Sequence, residues 1–238
     1  MQGLLIVVNY EQELEISGFL SSLARANPGL EAVVIDDGSR DRSPLLAEAL
    51  GYRVIRHSSN HGVGAAIRTG IQYACREARF EYVLIMSSNG KMHADEIPTV
   101  IAPILENRAD YVQGSRFREG GRSLALSGFR RFAIPVFSLL ASAILRYRFT
   151  DITCGFRAYR LALFDDPRVN LEQEWLNHYE AELYIHYYAC RLGARIVEVP
   201  VTIDYSQLGA NRRSKMPPVA GWWSMIRPFV LLSTGLKR

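Results

Sequence analysis

Residues 80–98 read FEYVLIMSSNGKMHADEIP and contain the pattern that decides the fold. The run from Phe80 to Met86 is apolar and β-branched, which predicts a buried strand. Asp95 and Glu96, followed by Pro98, are typical of the first turn of a helix. The residues between them therefore form a loop at the carboxyl end of a strand, the edge at which open α/β sheets bind ligands.

Strands and helices alternate on both sides of this stretch. The pattern predicts strands near residues 4–8, 31–36, 52–56, 81–86 and 110–114, and helices near 12–26, 42–50, 62–77 and 95–106. Strands separated by helices imply right-handed crossovers and a largely parallel sheet flanked by helices. The loops after the first, second and fourth strands then meet at one edge. They would bring together Tyr10 and Glu11, Asp36 and Asp37, and residues 87–91 around one cleft.

The composition is that of an ordinary globular protein, with 238 residues, 48% of them hydrophobic and 22% charged. Three cysteines, far apart and odd in number, indicate neither a disulfide framework nor a zinc site, and predict a reducing cytosol. Residues 1–8 favour a first strand over a signal peptide. The net charge of +4 fits an anionic membrane or a lipid phosphate. No nucleic-acid motif or clustered basic stripe accompanies it, so nucleic acid is not a predicted partner.

Seven short motifs follow one another along the chain. They are VVIDDGSRD (33–41), NHGVGAAIRTG (60–70), GSRF (114–117), DITCGFR (151–157), YE (179–180), EVPV (198–201) and SK (214–215). In this order they resemble the family-2 nucleotide-sugar glycosyltransferases, in the branch of dolichol-phosphate mannose synthases and polyprenyl-phosphate sugar transferases. The resemblance implies an inverting transfer of a sugar from a nucleotide-diphosphate sugar to a polyprenyl phosphate or a glycan acceptor.

The resemblance also implies an architecture and a location. The expected fold is the nucleotide-diphospho-sugar transferase (GT-A type) fold, with one catalytic domain over residues 1–215. Its donor half would cover about 1–115 and its acceptor half about 116–215, followed by an amphipathic segment over 216–238. Such an enzyme is expected in the cytoplasm, bound peripherally at the inner face of the membrane.

The loop of residues 87–91 departs from the family pattern. In the family it carries two aspartates that hold Mg²⁺ or Mn²⁺ on the donor diphosphate, whereas here Ser87 and Asn89 occupy those positions and Lys91 replaces a glutamine. Neutral oxygens hold a hard cation weakly, which leaves Asn89 as a weak metal candidate. Three interpretations stay open: the Lys91 ammonium replaces the metal, a metal binds weakly, or the chain is a non-catalytic relative that binds a sugar nucleotide or a lipid.

The resemblance assigns most candidate site residues. Donor contacts are expected from Tyr10, Glu11, Asp36, Asp37, Ser87, Asn89, Lys91, Arg116, Arg212, Arg213 and Lys215. Catalytic roles are expected for Asp151 first, then for Glu180 and Glu182, one of which would only fix the acceptor loop, with Lys91 stabilising the leaving group. A hydroxyl acceptor would need a carboxylate to take its proton, whereas an ionised phosphate would not. Taken alone, Asp36-Asp37-Gly38-Ser39 also fits a simple turn and helix cap.

The acceptor side is predicted from residues 129–149, which are apolar with basic ends. The apolar part, about 14 residues, is shorter than the roughly 20 that cross a bilayer, so an interfacial helix or an ordinary core helix fits it. By resemblance, Arg130 and Arg131 would contact a lipid phosphate, with Arg157 as a third acceptor contact. The guanidinium fork suits phosphate geometry. The segment 222–232, rich in tryptophan, is expected at the headgroup level of a membrane.

Overall fold

The computed structural model describes residues 1–26, 28–206 and 218–237, without the side chains of residues 218–224. Its strands are β1 (Gly3–Asn9), β2 (Glu31–Asp36), β3 (Arg53–Arg56), β4 (Tyr82–Ser87), β5 (Tyr111–Ser115), β6 (Arg122–Leu124), β7 (Arg157–Arg160), β8 (Ile196–Pro200) and β9 (Thr202–Asp204). Its helices are α1 (Ile16–Ala26), α2 (Ser43–Ala49), α3 (Val63–Glu77), α4 (Ile97–Leu105), α5 (Gly128–Leu145), α6 (Glu180–Arg191) and α7 (Pro218–Ser233). The five predicted strands and four predicted helices are all present, with helix α1 starting four residues late.

Seven strands form one sheet in the order β3-β2-β1-β4-β7-β5-β8, and β6 pairs with β9 in a small second sheet. Alternate residues of β1 point to opposite faces of the large sheet, as the period of two requires. Leu4 and Ile6 pack with helix α3, whereas Leu5 and Val7 pack with α1 and α4. Because both faces are covered, the central strands are continuously apolar in sequence.

Strand β7 makes the sheet mixed, and the sequence pattern did not predict it. It lies antiparallel between β4 and β5, with Ala158 opposite Leu84 on one side and Val112 on the other. The two arginines of β7 argue in the sequence against a buried strand, because arginine is usually found at the surface. In the structure Arg157 is only 2% exposed. The strand brings the preceding segment, residues 151–156, alongside the loop that follows β4. The two halves of the chain therefore meet at one edge of the sheet.

Candidate active site

Asn9, the last residue of β1, joins three loops at the carboxyl edge of the sheet. Its side-chain N–H group donates to Asp36 Oδ1 at 2.8 Å and to Ser43 Oγ at 2.9 Å, while its Oδ1 accepts from Ser88 Oγ at 2.7 Å. Asn9 is fully buried. The loops after β1, β2 and β4 are thus held together, which is the arrangement expected from the strand order. Nothing in the local sequence pattern distinguishes Asn9 from its neighbours.

The carboxylates of Asp36 and Asp37 are occupied by protein donors. Asp36, 0% exposed, accepts from the backbone N–H and the hydroxyl of Ser39 at 3.1 and 2.5 Å. Asp37, 2% exposed, contacts His57 Nδ1 at 2.8 Å and accepts from the backbone N–H of Gly62 at 2.7 Å. Direct contact with base and ribose was expected of both residues. In the structure both carboxylates fix the loops around the cleft, and their contact with a donor stays a prediction.

A cleft of 490 Å³ opens beside these carboxylates. It is lined by Tyr10, Gly38, Ser39, Arg40, Arg56, His57, Ser58, Ser59 and Asn60. The lining combines an aromatic ring with guanidinium, imidazole and hydroxyl groups, which suits a planar base and a ribose. Arg40, Arg56 and His57 were missed in the sequence, although the position of Arg56 at the end of β3 places it at the same sheet edge.

The loop after β4 is anchored on both sides. Toward the cleft, the backbone N–H of Ser88 donates to the carbonyl oxygen of Val8 at 3.0 Å. Away from it, the Lys91 carbonyl accepts from the backbone N–H of Asp204 at 2.9 Å. Asn89 Oδ1 accepts from the Lys91 backbone N–H at 3.2 Å, and Lys91 Nζ lies 5.3 Å from the centre of the Tyr205 ring. Hydrogen bonds therefore fix the backbone on either side of the lysine side chain.

The donor set of this loop does not fit a divalent cation. Ser87 and Asn89 offer neutral oxygens, and Asn89 Oδ1 is engaged by a backbone N–H. Nowhere in the described part of the chain do three His, Cys, Asp or Glu side chains come together as metal ligands. Magnesium and manganese sites rely on carboxylate oxygens. Ser87 and Asn89 therefore do not form a site for such a cation.

Asp151 and Arg116 form a buried, bidentate ion pair. Arg116 Nε donates to Asp151 Oδ2 at 2.6 Å and Nη2 donates to Oδ1 at 2.7 Å, and their side chains are 3% and 0% exposed. Burial alone would lower the pKa of the guanidinium, but the negative charge of Asp151 and its hydrogen bonds together raise that pKa. Arg116 Nη1 also donates to the hydroxyl of Tyr205. Both residues were expected to touch substrate, and in the structure each contacts the other.

Two glutamates of helix α6 face different neighbours. Glu180 is 4% exposed, and its Oε1 lies 3.9 Å from Nη1 of Arg227 on α7. Glu182 accepts from Arg157 Nη1 at 2.8 Å. A Cβ atom added to Gly155 would lie 3.7 Å from Glu182 Oε1 and 3.2 Å from Met92 Cε. Glu182 therefore lies beside Gly155 and Met92, whereas Glu180 faces α7.

Arg157 lies in the interior and acts on Glu182. Burial disfavours its charge, but the Glu182 carboxylate, with smaller contributions from Tyr159, Tyr111 and Cys154, raises the pKa of the guanidinium. Its Nη2 donates to the carbonyl oxygen of Ile152 at 3.2 Å. A direct contact with the acceptor was expected from the sequence. The structure shows a guanidinium that holds a carboxylate and the 151–156 segment in place.

A buried polar network supports this segment from below. Gln113 Nε2 donates to the carbonyl oxygens of Asp151 and Cys154, both at 2.9 Å. His186 Nδ1 donates to the Glu182 carbonyl oxygen at 2.6 Å, and its Nε2 lies 2.6 Å from the hydroxyl of Tyr111. This arrangement suits a neutral imidazole. Burial, assisted by the positive charge of Arg157, lowers the pKa of His186 well below 6.5.

Acidification is expected to destabilise the protein through His186. Between its lowered pKa in the folded state and about 6.5, the unfolded chain binds a proton that the folded chain does not, so the free energy of unfolding falls as the pH falls. The slope from this group is about 1.4 kcal/mol per pH unit. Urea denaturation at pH 7.5, 6.5 and 5.5 measures it. His186→Gln should flatten the profile, whereas substitution of the exposed His61 by glutamine should leave it unchanged; equal profiles for all three proteins would contradict the assignment.

Helix α5 presents an apolar face to solvent. Its outward side chains, between 40% and 74% exposed, are Phe129, Phe132, Val136, Leu139, Leu140 and Ile144. Among the described helices it is the one long and apolar enough to span a membrane, judged by length and composition. On its other side Phe137 packs against Phe229 of α7. A core helix would bury both sides, so the exposed face favours the interfacial interpretation.

The first turn of α5 reaches the candidate site. Arg130 is partly buried there, whereas Arg131 is exposed. Burial raises the pKa of the Tyr205 phenol, and the positive charges of Arg116 and Arg130 oppose that rise. The charge of Arg130 therefore acts on Tyr205, whose ring Lys91 contacts. The predicted phosphate ligands Arg212, Arg213 and Lys215 and the side chains of Trp222 and Trp223 lie outside the described residues.

Comparisons with known proteins agree along most of the chain. The profile of Glycosyl transferase family 2 matches residues 4–166. Undecaprenyl-phosphate mannosyltransferase of Micrococcus luteus is 28% identical over 90% of this chain and 88% of its own length. Polyprenol monophosphomannose synthase of Mycolicibacterium smegmatis is 26% identical over 92% of this chain and 86% of its own. Glucosyl-3-phosphoglycerate synthase from Mycobacterium tuberculosis, solved with Mn²⁺, UDP and glucosyl-3-phosphoglycerate, superposes with a TM-score of 0.71 at 18% identity, covering 100% of this chain and 81% of that one.

Proposed function

The chain belongs to glycosyl transferase family 2 and is a glycosyltransferase of the GT-A fold, and we propose that it transfers a sugar from a nucleotide-diphosphate sugar to a polyprenyl phosphate at the cytoplasmic face of a membrane. The observation that carries the proposal is the exposed apolar face of α5, which begins beside the candidate site at Arg130. The relatives that match nearly the whole chain are named for polyprenyl-phosphate acceptors.

The donor nucleoside would bind in the 490 Å³ cleft. Tyr10 offers a ring for stacking on the base, and Arg40 and Arg56 offer N–H donors for carbonyl or ribose oxygens. Asp36 and Asp37 act by holding the cleft walls, because their oxygens are occupied by Ser39, His57 and backbone N–H groups. The diphosphate would then lie over the loop that follows β4, toward the acceptor side.

The acceptor lipid would approach along α5. The apolar face of the helix would enter the hydrocarbon boundary, with the arginines at its ends at the level of the headgroups. Arg130, partly buried beside Tyr205, is the proposed ligand of the lipid phosphate, and the exposed Arg131 would contact the membrane surface. Such binding is peripheral, because the other side of α5 packs on the rest of the fold, with Phe137 against Phe229 of α7.

The chemistry required of the protein is then limited. An acceptor phosphate oxygen attacks the anomeric carbon, the bond from that carbon to the donor diphosphate breaks, and the nucleoside diphosphate leaves with the bonding electrons. An ionised phosphate needs no general base. Glu182, held by Arg157, is therefore proposed to orient the sugar, while Asp151 with Arg116 and Glu180 with Arg227 are proposed as positioning pairs.

Vesicles containing a polyprenyl phosphate test this function. With labelled UDP-, GDP- or dTDP-sugars, one donor is expected to give a label that extracts with the lipid. Phe132→Glu/Leu139→Glu should weaken vesicle binding about 100-fold or more, since each buried apolar side chain contributes roughly 1.5–3 kcal/mol. The double variant should still glycosylate a water-soluble short-chain polyprenyl phosphate.

Leu45 on α2 provides the control, because it is 57% exposed and belongs to a different helix. Leu45→Glu should bind vesicles as the wild type does. Transfer of label to water-soluble glycans but never to a polyprenyl phosphate would refute the acceptor. Unchanged vesicle binding by the double variant would refute the membrane face assigned to α5.

A further inference from the structure

We propose that the Lys91 ammonium is the countercharge of the donor diphosphate and that the protein binds its donor without a divalent cation. This inference rests on the proposed function, since it concerns the same donor. It resolves the misfit between the family's usual cation and the neutral oxygens of Ser87 and Asn89. It also decides among the three interpretations that the sequence left open.

The loop that follows β4 connects the nucleoside side of the site to its acceptor side. Its beginning is tied to the nucleoside side, because Ser88 bonds to Val8 and Asn9 at the end of β1. Its end reaches the acceptor side, because Met92 Cε lies against Gly155, close to Glu182. A diphosphate that connects a nucleoside in the cleft to a sugar beside Glu182 must therefore pass over the intervening residues. Lys91 is the cationic residue of that stretch.

Hydrogen bonds anchor the backbone of Lys91. Its backbone N–H donates to Asn89 Oδ1 and its carbonyl accepts from Asp204, so two hydrogen bonds fix the point from which the side chain extends. Its Nζ lies 5.3 Å from the centre of the Tyr205 ring, within the range of a cation–π contact. The Tyr205 hydroxyl is held in turn by Arg116, which Asp151 fixes. The ammonium is thus held at the mouth of the site, with its side chain partly exposed.

The leaving nucleoside diphosphate needs a positive charge beside it. Departure of a nucleoside diphosphate concentrates negative charge on its terminal phosphate, and preorganised positive charge stabilises that state. Ser87 and Asn89 provide no charge and hold a cation poorly. A lysine ammonium binds phosphate as a point charge and needs no metal. Without a bound cation, carboxylates beside Lys91 would repel the diphosphate. The neutral side chains of Ser87 and Asn89 avoid that repulsion.

Calorimetric titration with UDP, GDP and dTDP, each in the presence of Mn²⁺ and again with EDTA, tests the inference. One nucleotide is expected to bind equally well in both conditions. Lys91→Met should weaken that binding about 10- to 100-fold, the usual effect of losing a hydrogen bond to a charged group. Lys91→Arg should recover most of it. Lys237→Met, which removes an exposed lysine outside the site, should bind as the wild type does.

A triple variant provides the converse experiment. Ser87→Asp/Asn89→Asp/Lys91→Gln restores the carboxylates, so its nucleotide binding should become dependent on Mn²⁺ and fall at least about tenfold in EDTA. Thermal melting of each variant checks that the fold is retained.

The outcomes separate this inference from the proposed function. Binding by the wild type that vanishes in EDTA, or binding by Lys91→Met that equals the wild type in EDTA, would overturn the role of Lys91 and leave the donor assignment standing. A wild type that binds no nucleotide in either condition would overturn both. Binding that survives EDTA and depends on the charge at position 91 would establish the inference.

Discussion

Asp151→Asn is expected to lower the free energy of unfolding by about 3–5 kcal/mol and to abolish sugar transfer. The substitution leaves the Arg116 guanidinium, whose side chain is 3% exposed, without its carboxylate. Desolvation of an unpaired charge is costly, and neither Tyr205 nor Thr153 can supply the missing negative charge. Urea denaturation measures the stability, and label transfer to the polyprenyl phosphate measures the activity.

Two further variants isolate the cause. Asp166→Asn removes a carboxylate from an exposed pair with Arg168 and should change stability by less than about 1 kcal/mol. Arg116→Met/Asp151→Leu removes both buried charges and should be more stable than Asp151→Asn alone. The double variant should nevertheless remain inactive, because Tyr205 loses the donor that holds it beside Lys91. An active Asp151→Asn protein of normal stability would refute the assignment of the pair.

Gly62→Ala is the second substitution with a large expected effect, a loss of about 3 kcal/mol or more. Gly62 has φ 104° and ψ 161°, a backbone region open essentially to glycine alone. A Cβ atom there would lie 2.2 Å from His178 Nδ1 and 2.4 Å from the Asn177 carbonyl oxygen. The shift needed to relieve these overlaps would break the hydrogen bond from the Gly62 N–H to Asp37, so nucleotide affinity should fall as well.

Gly18 is the matched control, since it lies inside helix α1 with open space where a Cβ atom would be. Gly18→Ala should raise the free energy of unfolding by about 0.5–1 kcal/mol and leave nucleotide affinity unchanged. Equilibrium denaturation and calorimetry on both variants provide the comparison. If the two alanine variants behave alike, the strained turn at Gly62 has no role in shaping the donor cleft.

The most polar side chains of the site are buried, and the expected effects of these substitutions follow from that burial. Asp36, Asp37, Arg116, Asp151 and Arg157 are each at most 6% exposed. Each has protein partners of its own, which are charged side chains, the His57 imidazole, hydroxyls and backbone N–H and C=O groups, as buried charge requires. The proposed substrate contacts Tyr10, Lys91, Arg130 and Glu182 are instead partly exposed. The five buried motif residues are therefore proposed to shape the site, and the partly exposed ones to touch its ligands.

The motifs were visible in the sequence, but the inward direction of their side chains was not. Asp-Asp-Gly-Ser predicted a polar loop at the end of β2, and nothing local indicated that His57 and Gly62 would occupy both oxygens of Asp37. Likewise Glu180 and Glu182 are two residues apart on one helix, and only the packing of α6 against α7 and β7 distinguishes them. A contact between residues that are distant in the sequence cannot be predicted from the local sequence pattern.

The sequence by itself determined the alternation of strands and helices, the edge of the sheet where the cleft lies, and the replacement of the loop carboxylates by Ser87, Asn89 and Lys91. These properties follow from hydrophobic periodicity and residue chemistry, which are local. Tertiary structure alone decided that β7 would enter the sheet antiparallel between β4 and β5, that Arg116 would pair with Asp151, and that α5 would keep an apolar face in solvent. These outcomes depend on contacts between parts of the chain that are distant in the sequence. A buried arginine is stable only where the fold provides its counterion, and whether an apolar helix face is covered depends on which other elements pack on it.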